Sequence, residues 1–170
     1  MNIVEGQMFD EDELFEILRA DFSIGSGAIT ELYDEKVTPW LNDEKVNIDF
    51  ELWNRYKLEM QKNDPSFPVI DLDDFTDKIL DKCVNPKETK SFDRRGMVVG
   101  HVQSGKTSNY VGLINKATDA GYKVIIVIAG TISSLRRQTQ ERIDSGYIGR
   151  NSSAFIRENE NKIIGVGKYK

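Results

Sequence analysis

The residues best equipped for chemistry are Gly100-His-Val-Gln-Ser-Gly-Lys-Thr107. Gly100, Gly105, Lys106 and Thr107 fit G-x-x-x-x-G-K-[ST], the Walker A pattern of a phosphate-binding loop. Each residue type answers a need of that chemistry. Glycines at the first and sixth positions let the backbone curl until successive N–H groups face phosphate oxygens. The amides from Gln103 and Ser104 through Gly105, Lys106 and Thr107 would form the cradle. A helix opening there adds unpaired N–H groups and the positive end of its dipole. Lys106 would stabilise charge on the β- and γ-phosphates, and the Thr107 hydroxyl would hold Mg²⁺. The cofactors implied are ATP and Mg²⁺. A glycine-rich strand-to-helix turn that binds nothing is the bland alternative.

Positioning such a loop takes a strand before it and a helix after it. Gly96-Met-Val-Val reads as the strand, and residues 108–120 read as the helix. Val111, Leu113, Ile114 and Ala117 supply its apolar positions, and Gly121 suits the residue past its end. Lys123-Val-Ile-Ile-Val-Ile-Ala129 is a continuous β-branched run, the pattern of a central parallel strand buried on both faces. Strand, helix and strand make a βαβ unit. Gly130 to Ser134 is then a loop at the carboxyl end of that strand, where open α/β sheets collect ligands. Ser133 or Ser134 would cap a helix running to about Ile143, stopped by Asp144-Ser-Gly146. Thr131, Ser133, Arg136, Arg137, Gln138 and Arg142 could meet a nucleic-acid backbone, although a solvated helix face reads equally well. Residues 162–167 suggest a third strand.

The first half differs in character. Residues 9–22 read as an amphipathic helix, 23–28 as a break, and 29–42 as ambiguous. Residues 49–62 place Leu52, Trp53, Tyr56 and Met60 on one helical face, a stripe that reads as core. Asp64-Pro65 lies past the end of that helix. Asp71 would cap a helix over residues 72–83 with Phe75, Ile79, Leu80 and Cys83 inward. Val69-Ile70-Asp71 imitates a short Walker B strand, yet lies upstream of the loop and reads as structural. Residues 87–95 form a polar connector, and Arg94 and Arg95 lie either near a nucleotide or in solvent. This gives two regions, 1–90 acidic and helical and 91–170 the opening of a P-loop domain. The fold class expected is α/β: a partial RecA-like parallel sheet preceded by acidic helices.

Composition bounds the rest. The net charge of −5 splits unevenly. Residues 1–90 carry 22 Asp/Glu and 10 Lys/Arg, whereas residues 91–170 carry 6 and 13. The basic half suits a polyanion such as DNA, and the acidic half suits a protein partner. No apolar run is long enough to cross a bilayer, and no secretory signal is visible, so no membrane role and a cytoplasmic location are expected. Cys83 is the only cysteine and His101 the only histidine, which excludes an internal disulfide and any cysteine-rich zinc site.

Three blocks in succession carry a resemblance. They are Arg95-Gly-Met-Val-Val-Gly-His-Val-Gln-Ser-Gly-Lys-Thr-Ser-Asn-Tyr, Ala120-Gly-Tyr-Lys-Val-Ile-Ile-Val-Ile-Ala-Gly, and Leu135-Arg-Arg-Gln-Thr-Gln-Glu-Arg-Ile-Asp-Ser-Gly-Tyr-Ile-Gly. Together they resemble the N-terminal part of the Z-one domain proteins, endonuclease-associated, superfamily-two helicase-like ATPases linked to bacterial restriction and phage defence. The resemblance implies that Gly100 to Thr107 is helicase motif I. It places Gly130 to Gln138 where motif Ia touches a nucleic-acid strand. Such an ATPase also needs an acidic Walker B motif and an arginine finger from a second RecA-like domain. Neither is found, so the chain reads as the N-terminal fragment of a longer protein, inactive in hydrolysis alone. The competing reading is a nucleotide-dependent protein-interaction switch with no nucleic-acid role. A small-molecule kinase is a third, with no acceptor site or lid motif in its favour.

Overall fold

The computed structural model describes residues 2–4, 7–9, 38–89, 93–98, 106–152 and 162–169. The chain divides into two compact units, Met1–Pro39 and Trp40–Lys170. In the first, β1 (Asn2–Val4) and β2 (Gln7–Phe9) pair antiparallel with Ile3 opposite Met8. Phe9, where the helix over 9–22 was expected to begin, closes β2; the remainder of that helix and the break after it lie outside the described residues.

The second unit is built from helices: α1 (Leu41–Glu44), α2 (Glu51–Asn63), α3 (Val69–Lys82), α4 (Lys106–Ala120) and α5 (Ser133–Ile143). The expected stripe forms α2. Trp53 and Tyr56 are buried, Leu52 and Met60 are half-buried, and Asp64 leaves the helix in an extended conformation ahead of Pro65. Helix α3 starts earlier than expected. Pro68 stands at its N-cap, and Asp71 lies exposed in the first turn, making no capping bond but well placed for the dipole. Val69 and Ile70 are therefore helical. Leu72, Thr76 and Leu80 form the buried face of α3, with Phe75, Ile79 and Cys83 half-buried beside it. Helix α4 ends as its sequence implies. Gly121 has φ +109°, Gly121 N donates to Thr118 O and Tyr122 N donates to Ala117 O, the paired bonds of a Schellman motif.

Two helix starts are capped from a distance. Neither Trp40 nor Phe50 offers a capping side chain. Instead Asp81 of α3 accepts the N–H groups of Trp40 and Leu41 at 2.8 and 2.7 Å, serving α1. Asp119 of α4 accepts those of Leu52 and Trp53 at 3.2 and 2.9 Å, serving α2. Orphan donors at a helix start need an acceptor, and a carboxylate on a neighbouring helix supplies it.

The core has two parts. Trp53, Tyr56, Leu72, Val111 and Val166 make the larger one, and Leu41, Leu80 and Ala120 the other. Between them lies Lys116, only 1% exposed. Its ammonium pairs with the carboxylates of Asp73 and Asp77, donates to the Asp73 carbonyl at 2.7 Å, and sits 4.6 Å from the Trp53 ring centroid.

The expected α/β fold is corrected by this arrangement. Among the described residues there is no parallel sheet. Residues 93–98 and 122–130 belong to no strand, and the run expected as a buried central strand is exposed on both faces. Val124, Ile126 and Ile128 are 74%, 80% and 91% exposed, and Ile125 and Val127 on the other face are 38% and 43%. The physical reason lies in α4. Its buried positions, Val111, Ile114 and Ala120, face α2 and α3, so helices occupy the place a sheet would take. The third strand is also absent. Residue 163 makes one isolated bridge with Arg150, and Gly165–Lys168 is a 3-10 turn.

The end of α5 differs too. The chain continues as a π-helical turn over Asp144–Ile148 and stops at Gly149, where φ is +76°. Gly146 serves close packing, since a Cβ there would lie 2.6 Å from Val111 Cγ1. No described helix is long and apolar enough to cross a membrane.

Burial raises the Asp73 pKa, but the hydrogen bond and charge of Lys116 outweigh it and hold the carboxyl below its usual range. A depressed carboxyl pKa contributes stability above the ordinary carboxylate range and loses it as pH falls through the folded value. Wild type should therefore weaken on acidification below about pH 4. In Lys116→Met the two carboxylates lose their buried partner and keep only the more exposed Lys45 and Lys57. The variant should lose about 3 kcal/mol at pH 7 and gain stability as pH falls from 7 toward 4. Thermal melts across that range check the reversal of sign. A second test addresses the exposed run: Ile128→Lys should leave Tm unchanged, whereas a buried strand would melt several degrees lower.

Candidate functional site

The motif ends on the first turn of α4. Lys106 is the helix's first residue and is exposed, and Thr107 follows half-buried. Gly100, Gln103, Ser104, Gly105 and His101 lie outside the described residues. What can be built is the helix side of the site.

Helix α4 is fixed along its length by Val111, Ile114, Asn115, Lys116 and Ala120, all buried. Its first turn is thus held by a rigid body, with its N–H groups and positive dipole end directed out of that turn. Two residues from elsewhere meet it. The Tyr56 hydroxyl of α2 bonds with Ser108; burial pushes its pKa up to about 12, with the Ser108 bond and the charge of Arg142 acting the other way. It stays a neutral phenol at any physiological pH. Arg142, in the last turn of α5, donates from Nη1 to Thr107 Oγ1.

The first turn of α4 therefore gathers Lys106, Thr107, Ser108, Tyr56 and Arg142. Two are cations and three are neutral hydroxyls. This set is suited to an anion, and it fits the phosphate chain of a nucleotide. It fits a metal ion less directly. Among the described residues no group of three or more His, Cys, Asp or Glu side chains could hold one. The Thr107 hydroxyl, which the motif gives to Mg²⁺, already accepts a bond from a guanidinium.

The nucleic-acid residues fall elsewhere. Thr131 is exposed in the bend before α5, and Ser133 opens that helix without capping it. Arg136, Arg137 and Gln138 are exposed along α5, which has no buried residue. Arg136 Nη2 donates to Ser133 Oγ at 3.3 Å, and Arg137 Nε lies 3.7 Å from Glu141. Both contacts are weak enough in water to yield to a phosphate. Arg142, expected among these, instead meets the helix start. It lies six residues beyond Arg136, well round the helix from it. That offset was its only signal in the sequence. Nothing local marked Tyr56 or Ser108. Arg94 turns to the end of α3, donating to Lys82 O at 3.0 Å, and Arg95 pairs with Asp93 at 3.0 Å.

Comparison with protein-family models, with curated proteins and with solved structures finds no match for this chain.

Proposed function

We propose that this chain binds a nucleoside triphosphate, ATP with Mg²⁺, through Gly100–Thr107. On this proposal it is the N-terminal portion of a helicase-like, DNA-associated ATPase of restriction or phage-defence type, working in the cytoplasm. One observation carries the reading. The G-x-x-x-x-G-K-T sequence runs into a 15-residue helix whose first two residues are Lys106 and Thr107, with a second cation, Arg142, beside them. Phosphate oxygens are attracted by such a group of N–H donors and positive side chains, and Lys106 would take the β/γ charge. Thr107 would hold Mg²⁺, which supplies charge neutralisation on the phosphates. DNA association rests on the exposed basic face of α5, with Thr131, Ser133, Arg136, Arg137 and Gln138 as its contacts.

A second reading is supported by the packing of α2 and α3 against α4. Acidic-half helices contact the helix that bears the nucleotide motif. A nucleotide-dependent protein-interaction switch would use that contact and ignore DNA.

Isothermal titration with Mg²⁺-ATP tests the first proposal. Lys106→Ala should weaken binding at least tenfold while leaving the melt unchanged, because Lys106 is exposed. Absence of binding by the wild-type chain would end the nucleotide reading. DNA binding is tested by salt titration. Removing two phosphate contacts in the double variant Arg136→Ala, Arg137→Ala should flatten the log K against log salt slope by about 2. Binding that is absent, or indifferent to both salt and substitution, favours the switch.

A further inference from the structure

The run from Val124 to Ile128 has the exposure of a strand without a neighbour. Val124, Ile126 and Ile128 are the more exposed residues and Ile125 and Val127 the less exposed, an alternation of period two that marks an extended backbone. Among the described residues, no backbone N–H or C=O of residues 123–129 takes part in a hydrogen bond. An unpaired row of this kind is a template for another strand. Natural sheet edges are guarded by charge, proline or a bulge, and residues 124–129 contain no charged residue, proline or glycine. The apolar surface continues past the run. Leu135 Cδ1 lies 3.4 Å from the place a Cβ on Gly130 would take, and Ile132 and Leu135 are both exposed.

The order of residues in the run makes a second copy of this chain its complement. Laid antiparallel about Ile126, the two copies match residue by residue. Ile126 faces its own counterpart, Ile125 faces Val127, Val124 faces Ile128, and Lys123 faces Ala129. The central five pairs are β-branched on β-branched, the kind that stabilises paired strands, and no like charges stand opposite. Opposed residues share a face, so the more exposed Val124, Ile126 and Ile128 of both copies form one continuous apolar surface. We propose that residues 123–129 pair antiparallel with the same residues of a second copy, joining two chains into a twofold dimer. The same patch serves both partners, as closed symmetry requires. With Ile132 and Leu135 beside it, the run offers roughly 500 Å² on each copy, so two copies reach about the 1,000 Å² at which specific association begins. A pair of that size is weak and concentration-dependent, and dilute melts report the monomer, where Ile128 is exposed. The pairing needs neither nucleotide nor DNA.

The test is sedimentation equilibrium of the full chain from about 5 to 500 μM, a range that spans a weak dimer. Wild type should pass from monomer to dimer. Two double variants then read the register, since position 124 of one copy faces position 128 of the other. Val124→Lys with Ile128→Lys sets like charges opposite twice and should weaken the dimer at least tenfold. Val124→Lys with Ile128→Glu sets opposite charges there and should dimerise to within about threefold of wild type. Both variants place charges at the same two exposed positions, so lost apolar surface alone cannot separate them, and circular dichroism checks that each folds. A wild type that stays monomeric throughout overturns the proposal. So do two variants that lose dimerisation equally, as parallel pairing would require, two that both keep it, or growth into species larger than a dimer.

Discussion

The ammonium of Lys116 is the interaction on which the helical body depends. It is buried under Trp53 of α2, paired with Asp73 and Asp77 of α3, and carried by α4. Three helices meet on one charge. Desolvating an ammonium is expensive, and its partners repay that cost only while all of them stay in place. Asp77 also pairs with Lys45, and Asp73 lies 3.6 Å from Lys57. The network thus extends from the turn after α1 to the first helix of the basic half. The apolar clusters on either side provide the net stabilisation, and the buried charge limits how the helices can register against each other.

Acidic residues in this chain act less as a repelling surface than as connectors. Asp81 and Asp119 complete the N-termini of helices other than their own. Asp144 gathers the turn after α5. The strongly negative first half is thereby joined to the positive second half, and α4 receives support from both. That support gives the proposed phosphate-binding motif a firm base. A helix start can hold an anion in place only if the helix itself cannot move away, and the buried residues of α4 prevent it.

Among the described residues, Val124 to Ile128 form a continuous run of exposed large apolar side chains. Its side chains are those of a core, yet both faces meet solvent. Contiguous apolar surface of this kind mostly marks contact with something else. It follows Gly121, whose turn directs the chain away from the end of α4.

Much of the local structure was legible in the sequence. Helical spacing of Trp53, Tyr56 and Met60 identified α2, the apolar positions of residues 108–120 identified α4, and Gly121 marked its end, because these patterns report short-range geometry that the backbone obeys wherever it is placed. The motif likewise specified its own residue types. That no parallel sheet forms among the described residues was not legible. A β-branched run shows only that a segment would suit a strand; whether a ladder partner lies alongside is decided by residues far away. Nothing in the sequence singled out Lys116, and its burial against Trp53 and two aspartates of α3 emerged only when three helices packed. The placing of Arg142 on Thr107 has the same origin. Thirty-five residues separate them in the chain, and only the tertiary locking of α5 to α4 brings guanidinium to hydroxyl.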